Sequence, residues 1–133
     1  MGLLSACNKE VDKHSYLFTG EGEYWKAEVR YEAREEWGKD GDDITSYDGE
    51  AAYTFNLAYK GELEELVSVK RLVYEYKLPG SGSRTSITFD DEPISSKAFT
   101  STGSGGPIMR EDHSVDVKVK WDDQEESFEL VVE

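Results

Sequence analysis

The chain reads as an all-β protein, an antiparallel β-sandwich of immunoglobulin-like type, with a small lipocalin-like β-barrel as the alternative. Three observations predict this. Apolar and polar residues alternate in segment after segment, the period-two pattern of half-buried strands. Clusters of Gly, Pro, Asp and Ser interrupt these runs every ~8–12 residues, as they do in sandwiches and barrels. The 133 residues include eight Tyr, five Phe and three Trp, large rigid pieces for the interior of a single domain.

The elements follow in order. Residues 8 to 14 are polar and read as a tether, so the organisation expected is a tether over 1–14 and one β domain over 15–133. Ser15 to Thr19 is a short strand, broken by Gly20-Glu21-Gly22. Trp25, Ala27, Val29, Tyr31 and Ala33 then alternate with Lys26, Glu28, Arg30 and Glu32, a half-buried strand with an extended continuation to Trp37. Lys39 to Asp43 and Tyr47-Asp48-Gly49 carry turn chemistry.

Tyr53, Phe55, Leu57 and Tyr59 form the next alternation, closed by Lys60-Gly61-Glu62. Leu66 to Leu78 is the longest β run, with Leu72, Tyr74, Tyr76 and Leu78 facing one way and Val67, Val69 and Val73 the other. Pro79 to Ser83 is a hairpin loop from which Thr85 to Phe89 returns. Asp90 to Pro107 is Ser/Thr/Gly-rich and irregular, with Ile94 and Phe99 as core anchors. Val115, Val117, Val119 and Trp121, the turn at Asp122-Asp123-Gln124, and then Phe128, Leu130 and Val132 make the clearest hairpin in the chain.

Charge narrows the function classes. Twenty-nine acidic against fifteen basic residues give a net charge of −14. Nucleic-acid binding depends on neutralising phosphates, and peripheral attachment to anionic lipid depends on the same sign of charge, so both are disfavoured. Cationic partners such as metal ions, basic peptides and polyamines are allowed, an extracellular protein or a cationic ligand is the partner expected, and solubility through self-repulsion is the plainest reading. No run of ~18 apolar residues occurs after Cys7.

Leu4-Ser5-Ala6-Cys7 reads as a lipid-attachment box, with a diacylglyceryl group expected on Cys7, the single cysteine. Two acyl chains at ~0.8 kcal/mol per buried methylene give stable anchoring. Only Gly2-Leu3-Leu4 precede the box, whereas a secretory signal carries an apolar stretch of ~7–15 residues. The chain is therefore expected to be trimmed, or to begin at a start codon placed too late. A single cysteine also leaves no internal disulfide framework and no multi-cysteine metal site.

Three stretches together resemble a family. Phe18-Thr19-Gly20-Glu21-Gly22-Glu23-Tyr24-Trp25 resembles the F-x-G-E-S-E-x-W opening of small secreted lipoproteins of Gram-positive bacteria. Trp121 to Leu130 resembles their closing W-[ND]-G-x-x-E-x-x-x-L hairpin, and the box at Cys7 sits where theirs does. Gly22 stands where the family has Ser, and Asp123 where it has the turn Gly. The family has no assigned activity. The resemblance implies a lipid-anchored β-sandwich in the cell envelope and brings no catalytic residues with it.

Candidate chemistry is sparse. Asp40, Asp42, Asp43 and Asp48 are the best metal candidates, because calcium takes about six to eight oxygens and carboxylates around glycine can supply them. An EF-hand register fails at Ile44 and Thr45, and a solvated hairpin tip explains the same residues. Asp112-His113-Ser114 has the residue types of a triad, but neighbours on a strand point to opposite faces. No nucleophile motif is present, and Ser101 to Pro107 lacks the Lys and helix of a phosphate loop. Trp25, Tyr31, Tyr53, Tyr59, Tyr74, Tyr76 and Trp121 suit a ligand cavity or a solid core, and Trp25 and Trp121 are expected to be buried close together. The reading is a non-enzymatic, lipid-anchored extracellular binding module without cofactor, with a lipocalin-like carrier of a small apolar ligand as the alternative.

Overall fold

Trp25, Ala27, Val29, Tyr31 and Ala33 turn to one face of their strand and all are buried, the outcome that period-two alternation demands. The computed structural model to which they belong describes residues 7–133, with side chains described from residue 9 onward. Eight strands follow one another: β1 (Cys7–Glu21), β2 (Trp25–Asp40), β3 (Asp43–Tyr59), β4 (Arg71–Leu78), β5 (Ser81–Thr88), β6 (Ala98–Ser104), β7 (Val115–Trp121) and β8 (Gln124–Val132). They form one antiparallel sheet in the order β5-β4-β7-β8-β1-β2-β3-β6.

The all-β antiparallel architecture is thus the one expected, and the sheet curls so that its halves face each other. Phe55 of β3 stacks on Tyr76 of β4 with ring centroids 4.2 Å apart, and Trp25 of β2 meets Trp121 of β7 edge-on at 5.7 Å. The halves are hydrogen-bonded along a short seam, where Phe18 and Thr19 of β1 pair with Val132 and Val131 of β8. Among the described residues β5 pairs only with β4 and β6 only with β3, so the opposite side stays open. The result combines the facing walls of a sandwich with one closed side of a barrel.

The interior is packed with aromatic rings, and its hydroxyls are paired. Tyr53 Oη lies 3.3 Å from Tyr76 Oη, which lies 3.0 Å from Ser101 Oγ. Burial pushes the Tyr53 phenol up to about 12, so it stays neutral and can donate. The Tyr31 hydroxyl accepts the Met109 N–H at 2.9 Å, and Ile94 is buried as expected.

Four expectations are corrected. Residues 8 to 14 are not a tether but the first half of β1, paired with β2 from Cys7 opposite Asp40 to His14 opposite Ala33. Residues 9–13 are exposed on both faces, so the stretch lacks the apolar alternation that marks a strand, and cross-strand pairs such as Lys9–Glu36 at 3.1 Å and Lys39–Glu10 at 3.0 Å line it. Tyr47-Asp48-Gly49 is not a turn but lies within β3, since the chain reverses at Gly41-Asp42, with Gly41 at φ 63°. Leu66 to Lys70 is not strand: a 3₁₀ turn over Leu63–Leu66 precedes β4. The irregular stretch hides β6, whose Ser and Thr pair with β3 from Ala52 to Ala58.

Among the described residues β8 is in register with β1 only at Phe18 and Thr19, and β6 with β3 only as far as Ala52. Residues Cys7–Ser15, 32–40 and Asp43–Ala51 therefore run on as a three-stranded arm, ~30 Å long at ~3.3 Å per residue. A register shift between Gly38 and Lys39 marks a bulge near its tip.

Candidate functional site

The β1–β2 turn meets the start of β8. The Glu126 carboxylate accepts the backbone N–H groups of Glu23 at 2.8 Å, Tyr24 at 3.0 Å and Trp25 at 2.9 Å. It thereby closes the turn between β1 and β2, while Trp25 packs on Trp121. A Cβ at position 22 would overlap the end of the Glu126 side chain, which would have to shift. Asp122, at φ 56°, accepts the N–H groups of Lys70 and Arg71 at 3.1 Å and ties the β7–β8 turn to the start of β4. The residues of the opening and closing motifs form one structural junction, and the expected burial of Trp25 beside Trp121 is observed.

The one buried charged side chain among the described residues is Glu35, 4% exposed, at the root of the arm. It continues the inward-facing register of Ala33, which is the signal that marks it in the sequence. Arg110 Nη1 donates to Oε1 at 2.8 Å and Nη2 approaches Oε2 at 3.4 Å. The Tyr47 hydroxyl donates to Oε2 at 2.9 Å, and His14 Nε2 lies 2.7 Å from Oε1. Tyr16 Oη lies 3.3 Å from His14 Nδ1. Arg110 Nη1 also lies 3.0 Å from His14 Nε2, so the guanidinium, the imidazole and the Glu35 carboxylate meet at one point.

This cluster is an anchor. Hydrogen bonding to Arg110 holds the Glu35 carboxyl down at about 2; burial opposes this, and His14 and Tyr47 reinforce it. A carboxylate so fully engaged is a poor base. It ties β1, β2 and β3 to the segment that follows β6, and so fixes the direction in which the arm leaves the body.

The linkage has a definite sign. The folded-state value lies below the ordinary 4.5, so Glu35 stabilises the fold above about pH 4.5, and that contribution fades as pH falls toward about 2. Arg110→Met is expected to be less stable than wild type at pH 7, with the gap narrowing toward pH 2. Urea unfolding at several pH values reads this; a gap independent of pH would contradict it.

The other sequence candidates take separate places. Asp40, Asp42 and Asp43 make the hairpin tip of the arm, and Asp48 lies further along β3 opposite Glu36. Among the described residues no group of three or more His, Cys, Asp or Glu is placed to hold a metal ion. His113 Nδ1 accepts the Arg110 N–H at 2.9 Å, and its own N–H returns to the Arg110 carbonyl at 3.1 Å, so it shapes the turn that presents Arg110. Of the Ser101–Pro107 stretch, Ser101 to Ser104 belong to β6 and Gly105 and Gly106 take left-handed φ values. The Cys7 backbone stands opposite Asp40 at the arm tip, while its side chain and residues 1–6 lie outside the described residues.

Two further surface features complete the site. An open groove of about 750 Å³ crosses the root of the arm, with Lys13, Glu32, Arg34, Glu50 and Ser104 among its lining residues. Beyond it Trp37 packs against Tyr47 at 5.4 Å, and Tyr47 and Ile44 are 52% and 63% exposed. Compared with protein-family models, curated proteins and solved structures, the chain matches none.

Proposed function

We propose that the chain is a non-enzymatic, lipid-anchored binding module of the extracytoplasmic envelope, held to the membrane through Cys7 and engaging its partner through the arm. The observation that carries this reading is the arm itself. A three-stranded projection, locked at its root by Glu35 and Arg110, leaves Tyr47 and Ile44 exposed instead of using them in the core. The lipid-attachment grammar of Leu4-Ser5-Ala6-Cys7 and the resemblance of the end motifs to small Gram-positive lipoproteins support the location. A lipid on Cys7 would sit at the arm tip beside Asp40, Asp42 and Asp43, so the tip would face the bilayer and the body would project away from it.

The filled interior favours a module over a carrier. Trp25, Tyr31, Phe55 and Tyr76 are each 2% exposed or less and occupy the space that an apolar ligand would need. Titrating the purified domain with a fluorescent apolar dye, read through quenching of its tryptophans, is expected to show no saturable one-to-one binding. Saturable binding with matched tryptophan quenching would replace the module with the carrier.

A further inference from the structure

The free edge of β3 has the features of a strand-docking site. Among the described residues Asp43–Ala51 is paired on one side only, by β2. The eight residues from Asp43 to Glu50 are all exposed. The Ala51 carbonyl accepts the Gly105 N–H on the side away from β2. Strand alternation turns the backbone groups of Gly49 and Tyr47 to that same, unoccupied side.

Edges of this kind are usually blunted by lysine, proline or brevity, because unpaired N–H and C=O groups template another strand. Asp43–Ala51 contains no Lys, Arg or Pro. It contains Asp43, Asp48 and Glu50, with Tyr47 and Ile44 exposed between them.

We propose that this edge receives an extended, basic segment of another polypeptide as an added β-strand. Backbone ladder bonds to Tyr47 and Gly49 supply affinity, and Tyr47 and Ile44 seat the partner's apolar side chains. The carboxylates select Lys and Arg at the alternate positions. A second copy of this chain is the poorer occupant, since self-addition places the carboxylates of both edges in one ladder. The inference rests on the binding-module reading and names the chemistry of its partner.

The test uses the full domain and two synthetic ten-residue peptides, one alternating Lys with Val and one alternating Glu with Val. Binding is followed by titration, and amide exchange is read residue by residue. The Lys/Val peptide is expected to bind and to slow exchange at Tyr47 and Gly49 by roughly tenfold or more, while the Glu/Val peptide does not bind. Asp48→Lys with Glu50→Lys, both at exposed positions, is expected to reverse that preference with an unchanged near-UV spectrum.

Binding without protection at Tyr47 and Gly49 would reduce the effect to diffuse charge attraction and overturn the proposal. So would absence of binding, or protection that grows with protein concentration before any peptide is added, which marks a second copy. The apolar-dye titration reads the module itself, so failure of the peptide alone removes the edge and leaves the module.

Discussion

Trp25→Ala is expected to cost about 3–5 kcal/mol of stability, the usual range for emptying a large aromatic site in a packed core. Trp25 is fully buried and its ring lies 5.0 Å from Tyr59, 5.7 Å from Trp121 and 6.4 Å from Phe99. These neighbours come from β3, β7 and β6, so the cavity would open where the two halves of the sheet face each other. Trp25→Phe is expected to cost much less. The indole Nε1 is buried without a hydrogen-bond partner among the described residues, so Phe forfeits volume but no hydrogen bond. Urea unfolding of the two variants separates these terms. Equal losses would mean that the N–H, and not the ring volume, holds the site.

Gly20→Val is expected to open the seam, at the upper end of the ~1–3 kcal/mol typical of overpacking. A Cβ at Gly20 would overlap the backbone carbonyl of Glu129 and lie 2.9 Å from Leu130 Cδ2. Backbone cannot swing aside as a side chain can, so β8 must move away from β1. Among the described residues the seam consists of the register pairs Phe18–Val132 and Thr19–Val131, extended by the Glu133 N–H donating to the Leu17 carbonyl at 2.9 Å. Hydrogen exchange should accelerate first at Val131 and Val132 in the variant. Unchanged exchange there, with loss elsewhere, would place the strain outside the seam.

How much of this was legible in the sequence depends on which faces are dry. β2 up to Ala33, the body half of β3, β7 and β8 each put one face into the core, so alternation exposes them. The arm has solvent on most of both faces, and residues 8–14 and 43–50 therefore carry no hydrophobic signal of strand at all. What makes them strands is pairing to β2, a long-range fact invisible to local pattern. β6 was hidden for a related reason: its Ser, Thr and Gly residues read as loop, yet Thr100 Oγ1 donates to Asn56 Oδ1 at 2.8 Å across the ladder.

The site divides in the same way. Glu35 could have been found, because it stands in the inward register of Trp25 to Ala33 and a carboxylate there requires partners. Arg110 could not, since it lies on an irregular segment and reaches Glu35 only through the curl of the sheet. The acidic residues at 40–43 stood out by composition, but composition does not distinguish a ligand cage from a hairpin tip. The stretches Phe18 to Trp25 and Trp121 to Leu130 are visible in the sequence. Their physical meaning, Glu126 holding three N–H groups of the opening turn, needed the fold.

The anchoring of this arm-bearing domain to the membrane through Cys7 is a proposal. Its most direct test is metabolic labelling with a fatty-acid probe of the protein expressed from its native locus with all upstream sequence, wild type beside Cys7→Ala. The expected result is label on the wild-type protein, found in the membrane fraction, and none on the variant. An unlabelled wild type would contradict the anchor and return Cys7 to an ordinary thiol at the tip of an acidic β domain.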